Sequence, residues 1–200
     1  MLTSDHEQLC QSAPTQAYTY GPKYWGGYAT HIQHPQDFFF KIPENLPEER
    51  APPLFCADLT MYAPIARYAK PGDHIAILSI GGLGHMGVQY AKAWGCKVTA
   101  FTTRLDKEEF IKGLGADRVV LSNAETFKAE AGKFNLILNT LPVGDDLTVL
   151  VSLTKPFGTF VQLGLPDVRV PNKFQVAPLQ LDWLLDWIKE RSPRDFGLLC

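Results

Sequence analysis

The stretch His74-Ile-Ala-Ile-Leu-Ser-Ile80, followed at once by Gly81-Gly-Leu-Gly-His-Met-Gly87, decides the fold. An apolar, β-branched run of this length reads as a strand buried on both faces. It feeds Gly82-x-Gly84-x-x-Gly87, and Val88-Gln-Tyr-Ala-Lys92 continues as a helix. Alone, such a glycine pattern is a weak signal. Between a strand and a helix it is the context that a dinucleotide phosphate demands. In that reading Gly82 permits the tight turn and Gly84 lets the backbone approach a pyrophosphate. Gly87 brings the helix close to the strand, and small Ala91 extends that contact one turn on. The first amides of the helix, aided by its dipole, then face the phosphate oxygens.

Outward from this turn the chain alternates strand and helix with short connections, which predicts a parallel sheet covered on both faces. Strands are expected at about 74–80, 97–102, 118–121, 134–139 and 157–163, and helices at about 84–95, 106–114 and 145–153. The fold class is therefore α/β, a doubly wound parallel Rossmann sheet of about five strands. Upstream, residues 51–68 read as a helix with Leu54, Ala57, Met61 and Ile65 on one face and a kink at Pro64. Before that, frequent Pro and Gly break the chain into short pieces. Alternation over 28–32 and the aromatic run 38–40 suggest a small β-rich segment. The expected divisions are 1–45, 46–180 and an atypical tail over 181–200, where Trp183 and Trp187 put apolar bulk on a second helical face.

With 46% apolar and 20% charged residues, the 200-residue chain can bury a real core. A formal net charge of -2 offers no basic excess, so neither a nucleic-acid partner nor a charged membrane surface is expected. No apolar run spans a bilayer and no leader is apparent at the N-terminus, so a cytoplasmic protein is expected. Cys10, Cys56, Cys96 and Cys200 are scattered without a C-x-x-C pair, which favours reduced thiols.

Coenzyme choice is read at the end of the second strand, in Phe101-Thr-Thr-Arg-Leu-Asp-Lys107. Where an acidic residue would hold the ribose of NAD stand Thr102 and Thr103. With Arg104 and Lys107 they suit a 2′-phosphate, which favours NADP over NAD. In the alternative, Asp106 caps a helix and Lys107 is merely solvated.

Several blocks together resemble the zinc-type medium-chain alcohol dehydrogenases, in their cinnamyl alcohol dehydrogenase-like, NADP-dependent branch. They are His6-Glu-Gln-Leu-Cys10, Thr19-Tyr-Gly-Pro22, Gly26-Gly-Tyr-Ala-Thr-His31, Ala51-Pro-Pro-Leu-Phe-Cys-Ala57 with Thr60 and Tyr62, and Lys70-Pro-Gly-Asp73. Ile80 to Gly87, Leu114-Gly-Ala-Asp117, Phe134 to Thr140 and Val161-Gln-Leu-Gly164 follow in the same order. The resemblance implies that residues 1–45 are a remnant of a GroES-like substrate and zinc domain. It implies a catalytic zinc ligand at Cys56, a residue beside the nicotinamide at Thr60, and a structural zinc ligand at Cys10. Cofactor contacts map to Ser79, Ile80, Gly81, Gly82, Leu83, Gly84 and Gly87, to Thr102, Thr103, Arg104 and Lys107, and to Thr140 and Gly164. The implied reaction is hydride transfer between NADP(H) and a primary alcohol or aldehyde, in a homodimer.

Departures shape the expectation further. A catalytic zinc keeps three protein ligands and a structural one four. The family's remaining ligands have no match here, and Asp58 stands where the family usually has Gly. His6, His31, His34, His74 and His85 read as surface or packing residues. The expected chain is thus cut at both ends, without retained zinc, impaired in catalysis and without the family's dimer. A non-catalytic dinucleotide-binding fragment and an incomplete gene model are the alternatives.

Overall fold

The computed structural model describes residues 29–33, 39–141 and 147–164. The chain divides into two units, with a boundary between Ala51 and Pro52. In the first, the described residues 29–33 and 39–50 hold no strand. A 3-10 turn spans Glu48–Arg50, and the amide of Leu46 donates to the Pro43 carbonyl at 3.0 Å. The strand expected over 28–32 is therefore corrected for 29–33, which are exposed bends and coil. Alternation alone makes no strand without a neighbour to pair its amides and carbonyls.

The second unit opens with a π-helical turn over Leu54–Asp58 that runs into helix α1 (Leu59–Tyr68). Next come β1 (His74–Leu78), α2 (Gly84–Ala93) and β2 (Lys97–Thr102). A 3-10 turn over Leu105–Lys107 leads into α3 (Glu108–Gly113), followed by β3 (Arg118–Leu121) and α4 (Ala124–Ala129). Then come β4 (Phe134–Asn139), α5 (Leu147–Ser152) and β5 (Thr154–Gln162). The five strands are all parallel, in the order β3-β2-β1-β4-β5.

Strand alternation sends successive side chains to opposite faces and builds two cores. On one face Ile75, Ile77, Val98, Ala100, Leu136 and Leu138 pack with Met61, Ile65, Val88 and Ala91. On the other, Ala76, Leu78, Phe101 and Ile137 pack with Phe127, Leu150 and Leu153. In register, Ile75 stands between Val98 of β2 and Leu136 of β4. Because β2 lies on one side of β1 and β4 on the other, strand order reverses there. Open α/β sheets bind ligands in the crevice at the C-terminal ends of the strands where such a reversal falls.

The bounds differ from expectation in particular places. β1 stops at Leu78 because Ser79 takes φ of 71°, which an extended strand cannot continue through. The helix of 59–68 runs through Pro64 without interruption, and the irregular turn lies upstream at Leu54–Asp58. Met61 and Ile65 are fully buried as foreseen, while Leu54 and Ala57 are only partly so. β5 begins at Thr154 and pairs with β4 through a register shift. Helix α4 was not expected; Asn123 caps it by accepting the Thr126 amide at 2.8 Å. Among the described residues no helix is long and apolar enough to cross a membrane.

Candidate functional site

The crevice is walled by the ends of β1 and β4 and by the start of α2. The Ser79 amide donates to the Phe101 carbonyl at 3.1 Å, tying the end of β1 to β2. On the other side the Thr140 hydroxyl donates to the carbonyls of Leu78 at 2.9 Å and Ser79 at 3.1 Å, and the Thr140 amide also reaches Leu78. Ser79 is thereby held in the left-handed region, which costs an L-residue free energy and is a feature of functional sites. In the turn that follows, the His85 amide donates to Gly81, and those of Met86 and Gly87 donate to Leu83. The amides of Gly82, Leu83 and Gly84 take no backbone acceptor among the described residues. They are the orphan donors at the start of a ten-residue helix, and they point positive charge at the crevice.

The glycines divide their tasks differently from the sequence reading. A Cβ on Gly84 would run into the Ser79 carbonyl oxygen, so this glycine, not Gly82, lets the turn close on itself. Gly81 and Gly82 face open space and have no positive φ, so these are the positions where a ligand can approach bare backbone. Gly87 does as expected: a Cβ there would meet the Met61 methyl and come within 3.3 Å of Ile77 Cδ1, so its absence lets α2 lie against both α1 and β1.

At the end of β2, Thr102 is buried and its hydroxyl is occupied, accepting from the Arg104 amide at 3.2 Å and donating to the Arg104 carbonyl at 3.1 Å. Arg104 forks onto Asp106 through Nε, at 3.1 Å, and Nη2. Hydrogen bonding to Arg104 holds the Asp106 carboxyl below its ordinary range, and the same pair raises the guanidinium. Asp106 therefore pairs with Arg104 and does not cap the helix. Exposed Thr103 and Lys107 remain open to a 2′-phosphate, with Arg104 shared with Asp106.

Cys56 lies exposed on the π-helical turn. Two residues on, Asp58 is only 3% exposed; its Oδ2 accepts from the Tyr90 hydroxyl at 2.8 Å while Oδ1 has no hydrogen-bond partner. Burial raises its carboxyl above the usual aspartate range, opposed by the Tyr90 hydrogen bond and by the charge of His85. Thr60 is half-buried one helical turn from Cys56. Among the described residues no three His, Cys, Asp or Glu side chains come together to hold a metal. Cys56 alone does not make a zinc site, which needs at least three protein ligands. His74 packs at the opposite, N-terminal edge of the sheet and hydrogen-bonds Thr99 at 2.9 Å. Cys10, His6 and His34 lie outside the described residues, as does the 181–200 tail.

Sequence reasoning missed Asn139 and Gln162, whose amides meet at 2.7 Å across the ends of β4 and β5. The signal available was a polar residue ending each of two apolar strands.

Residues 82–185 match the family model described as zinc-binding dehydrogenase. The chain is similar to alcohol dehydrogenase 9 of Catharanthus roseus, 42% identical over 159 residues, covering 78% of this chain and 44% of that protein. It is similar in structure to a cinnamyl alcohol dehydrogenase from Sorghum bicolor, with a TM-score of 0.61 and 41% identity over 66% of this chain and 38% of that one. CAD from Helicobacter pylori, complexed with NADP(H), gives a TM-score of 0.62 at 28% identity over 68% of this chain and 38% of that one. The chain spans about half the length of the curated relatives it matches.

Proposed function

Because this chain belongs to the zinc-binding dehydrogenases, on their cinnamyl alcohol dehydrogenase-like branch, we propose that it binds NADP(H) at the crevice between β1 and β4. The activity proposed for the lineage is hydride exchange between that coenzyme and a primary alcohol or aldehyde. One observation carries the binding reading. The open amides of Gly82, Leu83 and Gly84 lie at a helix start, beside glycines that leave bare backbone at the strand-order reversal.

In this reading the three amides hold the pyrophosphate, with Ser79, Ile80 and Gly81 bordering it. Thr103, Lys107 and Arg104 hold the adenosine 2′-phosphate, while Thr102 shapes the turn that presents them. Thr140 and Gly164 border the nicotinamide half, and Gly87 seats the helix. The NADP(H) complex of the Helicobacter pylori relative supports the coenzyme class. When bound, the coenzyme supplies or accepts hydride at its nicotinamide ring. Family resemblance puts Thr60 beside that ring. Among the described residues no three ligands converge, so they do not fit a catalytic zinc.

A second reading, a dinucleotide-binding module without turnover, is favoured by exposed Cys56 belonging to no group of three metal-ligating side chains among the described residues. Calorimetric titration with NADPH, paired with a test for aldehyde-dependent NADPH oxidation, separates the two. Binding with turnover supports the enzyme. Binding without turnover supports the module, and no binding removes both.

A further inference from the structure

Beyond the glycine turn, the other side of the crevice is tied by a compact polar cluster. Asn139 is 2% exposed at the last position of β4, and Gln162 is half-buried at the last position of β5. Gln162 Nε2 donates to the carbonyls of Gly164 at 2.7 Å and Leu141 at 3.2 Å. Its Oε1 accepts from Asn139 Nδ2 at 2.7 Å. Asn139 Oδ1 then accepts the Leu141 amide at 3.2 Å, and the Asn139 carbonyl accepts the amides of Leu163 at 2.8 Å and Gly164 at 3.1 Å. Every donor direction is consistent with one orientation of each amide. A Cβ on Gly164 would overlap the Leu141 carbonyl, so the two segments leaving β4 and β5 touch backbone to backbone.

A network of this kind, half-buried to buried and with a partner for each side-chain N and O atom, favours a single geometry, because breaking a member leaves a poorly solvated polar group without its partner. Its position gives that rigidity a use. The sheet order puts β2, where the adenosine ribose is read, on one side of the pyrophosphate turn, and β4 with β5 on the other. A dinucleotide lying across the crevice therefore brings its nicotinamide half to the ends of β4 and β5. Resting on the NADP(H) reading above, we propose that Asn139 and Gln162 form an amide latch that positions the nicotinamide half of the bound coenzyme. The latch fixes the backbone of Thr140, Leu141 and Gly164 as the wall against which that half is seated. Neither side chain needs to touch the coenzyme; both are positioning residues.

The test compares whole and half ligands on the full chain. Gln162→Met keeps the volume and removes the Nε2 donor to Leu141 and Gly164 and the Oε1 acceptor of the Asn139 bond. Asn139→Leu breaks the latch from the other strand and serves as the second variant. NADPH and adenosine 2′,5′-bisphosphate, which carries the adenine half alone, are titrated into the parent and each variant. Nicotinamide emission of bound NADPH is recorded alongside. The expected result is a rise in the Kd for NADPH of about tenfold with diminished enhancement of its emission, while the bisphosphate Kd stays within about twofold of the parent. The unchanged half-ligand certifies that each variant is folded. NADPH affinity within about twofold of the parent overturns the latch. So does an equal loss for both ligands in both variants, which makes the residues structural only. If the parent chain binds neither ligand, the dinucleotide reading itself falls and takes the latch with it.

Discussion

The glycine turn of Ser79–Gly87 and the cysteine turn of Leu54–Asp58 sit on packed neighbours, α2 and α1, yet only one is complete in what the structure describes. The first is built from backbone: amides at a helix start, a carbonyl seated against Gly84, and glycines that leave room. Its amides and glycines lie within a few residues of one another, and Phe101 and Thr140 only hold Ser79 in place from the neighbouring strands. The second depends on side chains. A thiol becomes part of a metal site only when others converge on it from distant parts of a chain, and the described residues gather no group of three around Cys56. A backbone-built turn thus draws most of its parts from local sequence, whereas a side-chain metal site is complete only in its tertiary surroundings.

The largest effect that would break this contrast is at Gly84. Gly84→Ala forces a Cβ into the Ser79 carbonyl, and we expect NADPH affinity to fall about a hundredfold and thermal stability to drop by about 1–3 kcal/mol. Gly82→Ala meets only open space, so it should leave the melting temperature unmoved while weakening NADPH about tenfold, because the methyl group enters ligand space. Calorimetry and thermal melts of the pair check this. Equal behaviour of the two variants would erase the distinction between a closing glycine and a ligand-facing one.

A control lies at the opposite edge of the sheet. Buried Glu130 takes a bidentate fork from Arg118 at 2.9 and 3.2 Å and a third bond from Lys133 at 3.2 Å. The Arg118 hydrogen bonds, outweighing burial and aided by Lys133, hold its carboxyl below the ordinary glutamate range. A lowered folded-state value contributes stability above the unfolded value, and that stability is lost as pH falls through the folded one. Glu130→Gln should therefore cost about 1.5–3 kcal/mol at neutral pH. The gap to the parent should narrow below the ordinary glutamate range, with NADPH affinity unchanged. Denaturant melts across pH measure it.

Smaller shifts sharpen the coenzyme reading. Thr103→Asp puts a carboxylate where a 2′-phosphate is proposed, and should move the NADPH-to-NADH affinity ratio about tenfold toward NADH. The same exchange at buried Thr102 should instead loosen the fold, since its hydroxyl ties the Arg104 backbone. Smallest of all, Cys56→Ser should change neither NADPH affinity nor stability by more than about 0.5 kcal/mol. A clear loss in either would join the two turns into one site.

What was legible follows the same division. Strands β2, β3 and β4 were expected at their observed bounds because each is a short apolar run ended by polar or turn residues. Helix α4 escaped because Phe127 is its one large apolar residue, leaving no periodicity to count; its Asn123 cap was the available sign. The start of β5 at Thr154 was not legible because Thr154–Pro156 lack an apolar pattern and Phe157, at φ of 63°, interrupts the strand rhythm. In the site, the glycine spacing was readable, but which glycine closes the turn depends on where the Ser79 carbonyl points. The Arg104–Asp106 pair and the Asn139–Gln162 latch were not readable, because hydrogen-bond partners are chosen by the folded geometry and not by spacing.

On the proposed reading this chain holds NADP(H) on the backbone of its glycine turn. Calorimetric titration of NADPH into the chain, shown folded by its thermal melt, tests it most directly. The expected result is saturable binding at one coenzyme per chain, tighter than for NADH. A folded chain that gives no saturable binding with either coenzyme would contradict it.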